Sequence, residues 1–124
     1  MQFLFLVLLV VSFIVFGQIF IKKGLNEISF VKLDGLKSLF NIFIQFISNK
    51  FVIIGLLFAT IGTISWFFIL NQGDITFVFP LSTAFFYVLL FLVSWLFLGE
   101  MIIIGRIIGV FVILVGIIIM LLTK

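Results

Sequence analysis

Four apolar runs, each long enough to cross a bilayer, take up most of this 124-residue chain. They are roughly residues 3–21, 51–70, 75–98 and 101–122, each close to the about 20 residues that a helix needs to span a hydrocarbon core. Composition agrees: 66% of the residues are hydrophobic and 9% are charged. A water-soluble domain of this size could not cover its surface with so few polar groups, so lipid is the expected solvent. The expected fold is all-α: one polytopic membrane domain over residues 1–124 with four transmembrane helices. The first run reads as a retained span rather than a signal peptide. It has no Lys or Arg ahead of it, its apolar stretch is too long, and no small-residue cleavage site follows.

Several function classes drop out early. The chain has no cysteine and no histidine. That removes thiolate metal sites, disulfides and the commonest general base and metal ligand. No nucleophile–base pattern, phosphate-cradling glycine loop or metal-ligand spacing occurs, so neither an enzyme, a cofactor nor a metal is expected. The net charge of +3 is small and localised. It lacks the basic face that nucleic-acid binding needs.

The charges instead set topology. On the side of the first and third loops sit Lys22, Lys23, Lys32, Lys37, Lys50 and Arg106, against Lys124 alone on the side of the termini. By the positive-inside rule the long first loop is cytoplasmic and both termini lie outside, in a bacterial-type cytoplasmic (inner) membrane. That loop, 22–50, contains an amphipathic stretch. Leu36, Leu39, Phe40, Phe43 and Ile47 fall on one helical face, and Lys37, Asn41, Gln45 and Ser48 on another. An interfacial helix is expected there; the alternative is a simple extension of the second span. The other links are short, Asn71–Asp74 and Gly99–Glu100, which predicts that consecutive spans are antiparallel and adjacent.

Against this apolar background the polar and small residues stand out. Gln18 and Lys22 are four apart and share a helix face. An amide within an apolar span points at another helix or a wet cavity. With a lysine that can snorkel to the headgroups, the pair suits an anionic lipid phosphate; the alternative is helix glue beside a topology signal. Pro80 removes a backbone donor one turn into the third span, and a helix opened there beside Ser82 and Thr83 could line a cavity or be no more than a kink. Gly55, Ala59 and Gly62 or Thr63 form a small face that invites close packing. Trp66 reads as an aromatic-belt residue or a pocket wall. In the fourth span Gly105, Gly109 and Gly116 form a stripe for dimer packing or internal packing. Glu100 is placed to begin that span as a favourable charge at its N-terminus, six residues from Arg106.

Two stretches carry a family resemblance. Residues 79–120 have an aromatic-Pro-Leu opening, then Phe97-Leu98-Gly99-Glu100, then Gly109 and Gly116 seven apart. They are similar to the closing two helices of drug/metabolite transporter superfamily members, including EamA-type carriers, and to the small multidrug resistance family, whose last helix packs a dimer through such a glycine pair. GQIFIKKG, residues 17–24, resembles the end of the first helix in small four-helix flippase subunits for aminoarabinose-phospho-undecaprenol. The resemblance implies transport, with a polyprenyl-phosphate-linked sugar or similar anionic lipid as substrate and Gln18, Lys22, Pro80, Ser82 and Thr83 around it.

Departures from the family bear on the substrate. Ile14 stands where multidrug exporters carry a glutamate, and Phe79 and Ser82 stand where they carry a Tyr and a Trp. None of Glu27, Asp34, Asp74 and Glu100 lies in the middle of a span. Proton-coupled cation export therefore ranks below movement of a lipid-linked substrate. A small exporter of organic solutes and a non-transporting membrane subunit of a larger complex remain as alternatives. Because four helices rarely enclose a path, the resemblance also implies a dimer. The charge bias favours a heterodimer with an oppositely oriented paralogue or a parallel homodimer over two opposed copies.

Overall fold

The computed structural model describes residues 2–28 and 35–123, and among these it contains five helices and no strand. They are α1 (Gln2–Glu27), α2 (Leu36–Ser48), α3 (Lys50–Leu70), α4 (Ile75–Leu98) and α5 (Ile104–Leu122). Four of them, α1, α3, α4 and α5, are long and apolar enough to cross a membrane. Lys32 and Lys124, counted above in the charge asymmetry, and the acidic Asp34 lie outside the described residues.

α1 is the hub. It packs along α3 and along α4, while α5 rests chiefly on α4 and α2 on α3. Its buried face carries Val7, Val10, Val11, Val15, Gly17, Ile19 and Gly24. The valines join Ile69, Val78 and Val93 in the core. Consecutive spans are therefore not all close neighbours as expected: α3 and α4 meet only lightly. The reason lies in the glycines. A Cβ on Gly17 would come within 2.8 Å of the Ala59 backbone nitrogen, and one on Gly55 within 2.7 Å of the Gly17 carbonyl oxygen. Backbone-to-backbone approach of this kind draws α1 onto α3 more closely than any side chain allows α4 to come.

The small face read from Gly55, Ala59 and Gly62 is thus a packing face for α1. The stripe on α5 is not used within the chain: the Cβ positions of Gly105, Gly109 and Gly116 meet nothing within 4 Å, and α5 buries no residue.

Two boundaries differ from expectation. α1 continues past Lys22 and Lys23 to Glu27, because its last turns pack on α3, with Gly24 buried against Val52 and Asn49. The fourth span starts at Ile104 rather than Met101. Gly99 closes α4 in the left-handed conformation, φ 63°, and residues 100–103 run as a non-helical elbow. A left-handed residue just past a helix is the common stop signal, and glycine alone adopts it without strain.

The amphipathic stretch forms a helix of its own rather than an extension of α3. Asn49 breaks the chain between them, with φ −79° and ψ 121°. Its side-chain oxygen caps α3 by accepting from the Phe51 and Val52 amides at 2.9 and 3.2 Å. The amide nitrogen of the same side chain donates to Glu27 Oε2 at 3.0 Å. One residue thus ends α2, starts α3 and ties both to the end of α1. In α2, Leu36, Leu39, Phe40, Phe43 and Ile47 are all exposed.

Candidate functional site

Where α3 and α4 splay apart, α1 forms the floor between them. A cavity of about 220 Å³ opens there, lined by Val11 and Ile14 from α1, Thr63 and Trp66 from α3, and Phe79, Ser82, Thr83 and Phe86 from α4. Trp66 and Phe79 meet edge-on with centroids 5.9 Å apart, so Trp66 serves as a pocket wall. Ile14 and Phe79, two of the positions that depart from the multidrug pattern, are in this wall, and no ionisable side chain lines it.

The cavity's hydroxyls are turned to their own helix. Ser82, which is buried, donates to the Val78 carbonyl, and Thr83 donates to the Phe79 carbonyl at 2.8 Å. Their oxygens keep lone pairs for a ligand that donates. Pro80 is half-buried and stands within α4, which continues through it; it lies beside the cavity rather than in its lining. Its contribution is to the backbone, since the helix loses the bond to the Thr76 carbonyl.

Toward the far end of α1, Gln18 follows Ile14 and precedes Lys22 at four-residue spacing. Val11, Ile14, Gln18 and Lys22 therefore form one stripe along α1, with about 6 Å between successive four-residue steps. Gln18 is exposed, and among the described residues its amide forms no hydrogen bond inside the chain. The structure does not bring Gln18 together with Ser82 and Thr83, which line the cavity from α4 beside Val11 and Ile14 of the stripe.

Lys22 ends the stripe in an ion pair. Its ammonium donates to Glu100 in the α4–α5 elbow. The other carboxylate oxygen of Glu100 accepts from Ser94 Oγ at 2.5 Å. Hydrogen bonding by Lys22, and then by Ser94, holds the Glu100 carboxyl below its ordinary range. This corrects the assignment of Glu100 to the start of the fourth span: its charge goes to Lys22 and Ser94, four residues before α5 begins. Lys23 turns elsewhere and lies over the Phe51 ring, 4.6 Å from its centroid, with Lys50 over the same ring at 5.2 Å. The two adjacent lysines thus latch α1 to different neighbours, one to the elbow and one to α3.

A second cavity, about 150 Å³, lies in the elbow. Its lining includes Tyr87, Ser94, Trp95, Glu100 and Arg106. Among the described residues Arg106 forms no ion pair, and no group of acids could hold a metal.

Sequence reasoning placed Lys22, Glu100 and Arg106 at the same end of the molecule but missed the Lys22–Glu100–Ser94 link and the role of Asn49. The signal for the first was Gly99, since a left-handed stop sends the following residue back beside the last turn of its helix. Comparison with known proteins finds no matching family model, no matching curated protein and no matching solved structure.

Proposed function

We propose that this chain is a subunit of a membrane carrier that moves an amphipathic, anionic lipid, with a polyprenyl-phosphate-linked sugar as the most concrete substrate class. One observation carries this reading: the α1 stripe runs from an apolar cavity, past a Gln18 amide with no partner among the described residues, to the charged Lys22–Glu100 pair. A polyprenyl-phosphate-linked sugar has the same polarity, an apolar chain ending in a phosphate that carries the sugar. Its chain suits the aromatic cavity between α3 and α4, its phosphate suits Lys22 with the Gln18 amide beside it, and the hydroxyls of Ser82 and Thr83 would accept from the sugar as it passes the cavity.

The Lys22–Glu100 pair does not oppose this. Its side chains are 51% and 38% exposed, and such pairs contribute about 0.2–1 kcal/mol. A phosphate oxygen forms a charge-assisted bond at least as strong and so can take the ammonium at little cost, leaving Glu100 on Ser94. The amphipathic α2 would lie at the cytoplasmic surface with its exposed leucine and phenylalanine face in the headgroup boundary. The six cations on that side orient the chain.

The test is a flip assay in proteoliposomes with a short-chain polyprenyl-phosphate sugar. Gln18→Leu and Lys22→Ala are each expected to lower the rate at least tenfold. If both proceed at the wild-type rate, the assignment fails.

A second reading is favoured by α5. A helix that buries nothing in its own chain suits a membrane subunit docked in a larger complex, without transport by this chain. It predicts that Gln18 and Lys22 tolerate substitution while Gly105 and Gly109 do not.

A further inference from the structure

Charge accounting in the elbow cavity leaves one cation over. Glu100 and Arg106 line it, and Lys22 is joined to it through its ion pair with Glu100. Glu100 is already matched, by Lys22 on one oxygen and by Ser94 on the other. Arg106 acts on Glu100 through space, as the weakest of the influences on its carboxyl, and is not bonded to it. The guanidinium therefore lines the cavity with its fork of donors uncommitted among the described residues.

The rest of the lining fits a group that is anionic at one end and less polar beside it. Tyr87 and Trp95 supply amphipathic rings, and Leu90, Phe91, Met101 and Ile102 close the apolar side. A planar guanidinium binds tetrahedral oxyanions through two parallel N–H···O bonds, which an ammonium cannot copy.

We infer that the α4–α5 elbow is a phosphate-binding site in which Arg106 is the principal ligand, with Lys22 joining it on release from Glu100. The site deepens the carrier reading and rests on it only for what becomes of the bound group. It locates the headgroup phosphate at the elbow, beyond the end of the α1 stripe. Glu100 then acts as an internal anion that holds Lys22 until phosphate arrives. Free phosphate and a lipid phosphate share this chemistry, and the experiment separates them.

The experiment is titration of the full chain in dodecyl maltoside, a phosphate-free detergent, with dihexanoyl phosphatidate, read by native mass spectrometry. One lipid is expected per chain. Arg106→Gln is expected to weaken binding at least tenfold, and Arg106→Lys less than that. Lys50→Gln removes the same charge outside the cavity and should leave binding unchanged. Glu100→Gln removes the competing anion and frees Lys22, so it should tighten binding several-fold, a gain that misfolding cannot produce. Displacement by millimolar inorganic phosphate would identify free phosphate as the natural source; resistance to it would identify a lipid phosphate. Undiminished binding by Arg106→Gln, or an equal loss in Lys50→Gln, would overturn the site. If Arg106→Gln binds normally while Lys22→Ala abolishes flipping, this inference fails and the carrier reading survives.

Discussion

Lys22 on α1 and Glu100 in the α4–α5 elbow, 78 positions apart in the chain, form an ion pair. It joins the hub helix to the connection between α4 and α5. Because both side chains are partly exposed, the link is worth little to stability. A double-mutant cycle of Lys22→Ala and Glu100→Gln, read by thermal unfolding in detergent, should give a coupling of about 0.2–1 kcal/mol. A coupling of several kcal/mol would mean that the pair holds the fold, and that a phosphate could not displace it cheaply.

The pair also predicts a pH dependence of definite sign. Lys22, and then Ser94, lower the Glu100 carboxyl from its ordinary value of 4.5. A group whose folded pKa lies below its unfolded one stabilises the fold above the unfolded value, and that contribution is lost as pH falls through the folded value. The wild type should therefore exceed Glu100→Gln in melting temperature at pH 7. The gap should close progressively below pH 4.5, toward zero. A gap that stays constant down to pH 3 would show that the carboxylate is not the source.

Asn49 joins three helices through one side chain. Removing it takes away two bonds to the start of α3 and the tie to Glu27. Asn49→Ala should cost about 1–2 kcal/mol, in the range of lost N-caps. Asn49→Asp separates the two roles. It keeps the cap acceptor but places a carboxylate beside Glu27, so it should recover only part of the loss at pH 7 and more at pH 4. Full recovery at pH 7 would reduce Asn49 to a cap alone.

The four long apolar helices and the amphipathic helix were legible from the sequence because they depend on local pattern: runs of apolar residues, and one stretch with two distinct faces. The order of packing was not. Short links at 71–74 and 99–100 suggest a meander of neighbours, yet α1 lies between α3 and α4. That depends on Gly17 meeting Gly55, with Gly24 against Val52 and Gly62 against Ile14, and such pairing between distant segments has no local signature. Ser82 and Thr83 were found because polar residues are rare in this chain. Asn49 was missed because a single Asn between two helical stretches reads equally as part of either. Glu100 was placed at the correct end of the molecule but given the wrong partner, since helix continuity through Met101 hid the turn at Gly99.

The two sets of glycines should respond in opposite ways, and this separates packing within the chain from packing between chains. Gly17→Leu or Gly55→Leu would drive a side chain into backbone atoms less than 3 Å away, which cannot give way without parting α1 from α3. Overpacking of a core typically costs about 1–3 kcal/mol, and here it parts the hub helix α1 from its main neighbour α3, so the folded yield in detergent should fall sharply. Gly105→Leu and Gly109→Leu meet open space and should leave the melting temperature of the monomer unchanged. If α5 is where a second subunit docks, those same two substitutions should abolish the dimer seen by native mass spectrometry of gently extracted membranes. A dimer that survives both would place the contact elsewhere, and a monomer that unfolds with them would show that the α5 face is already occupied within the chain.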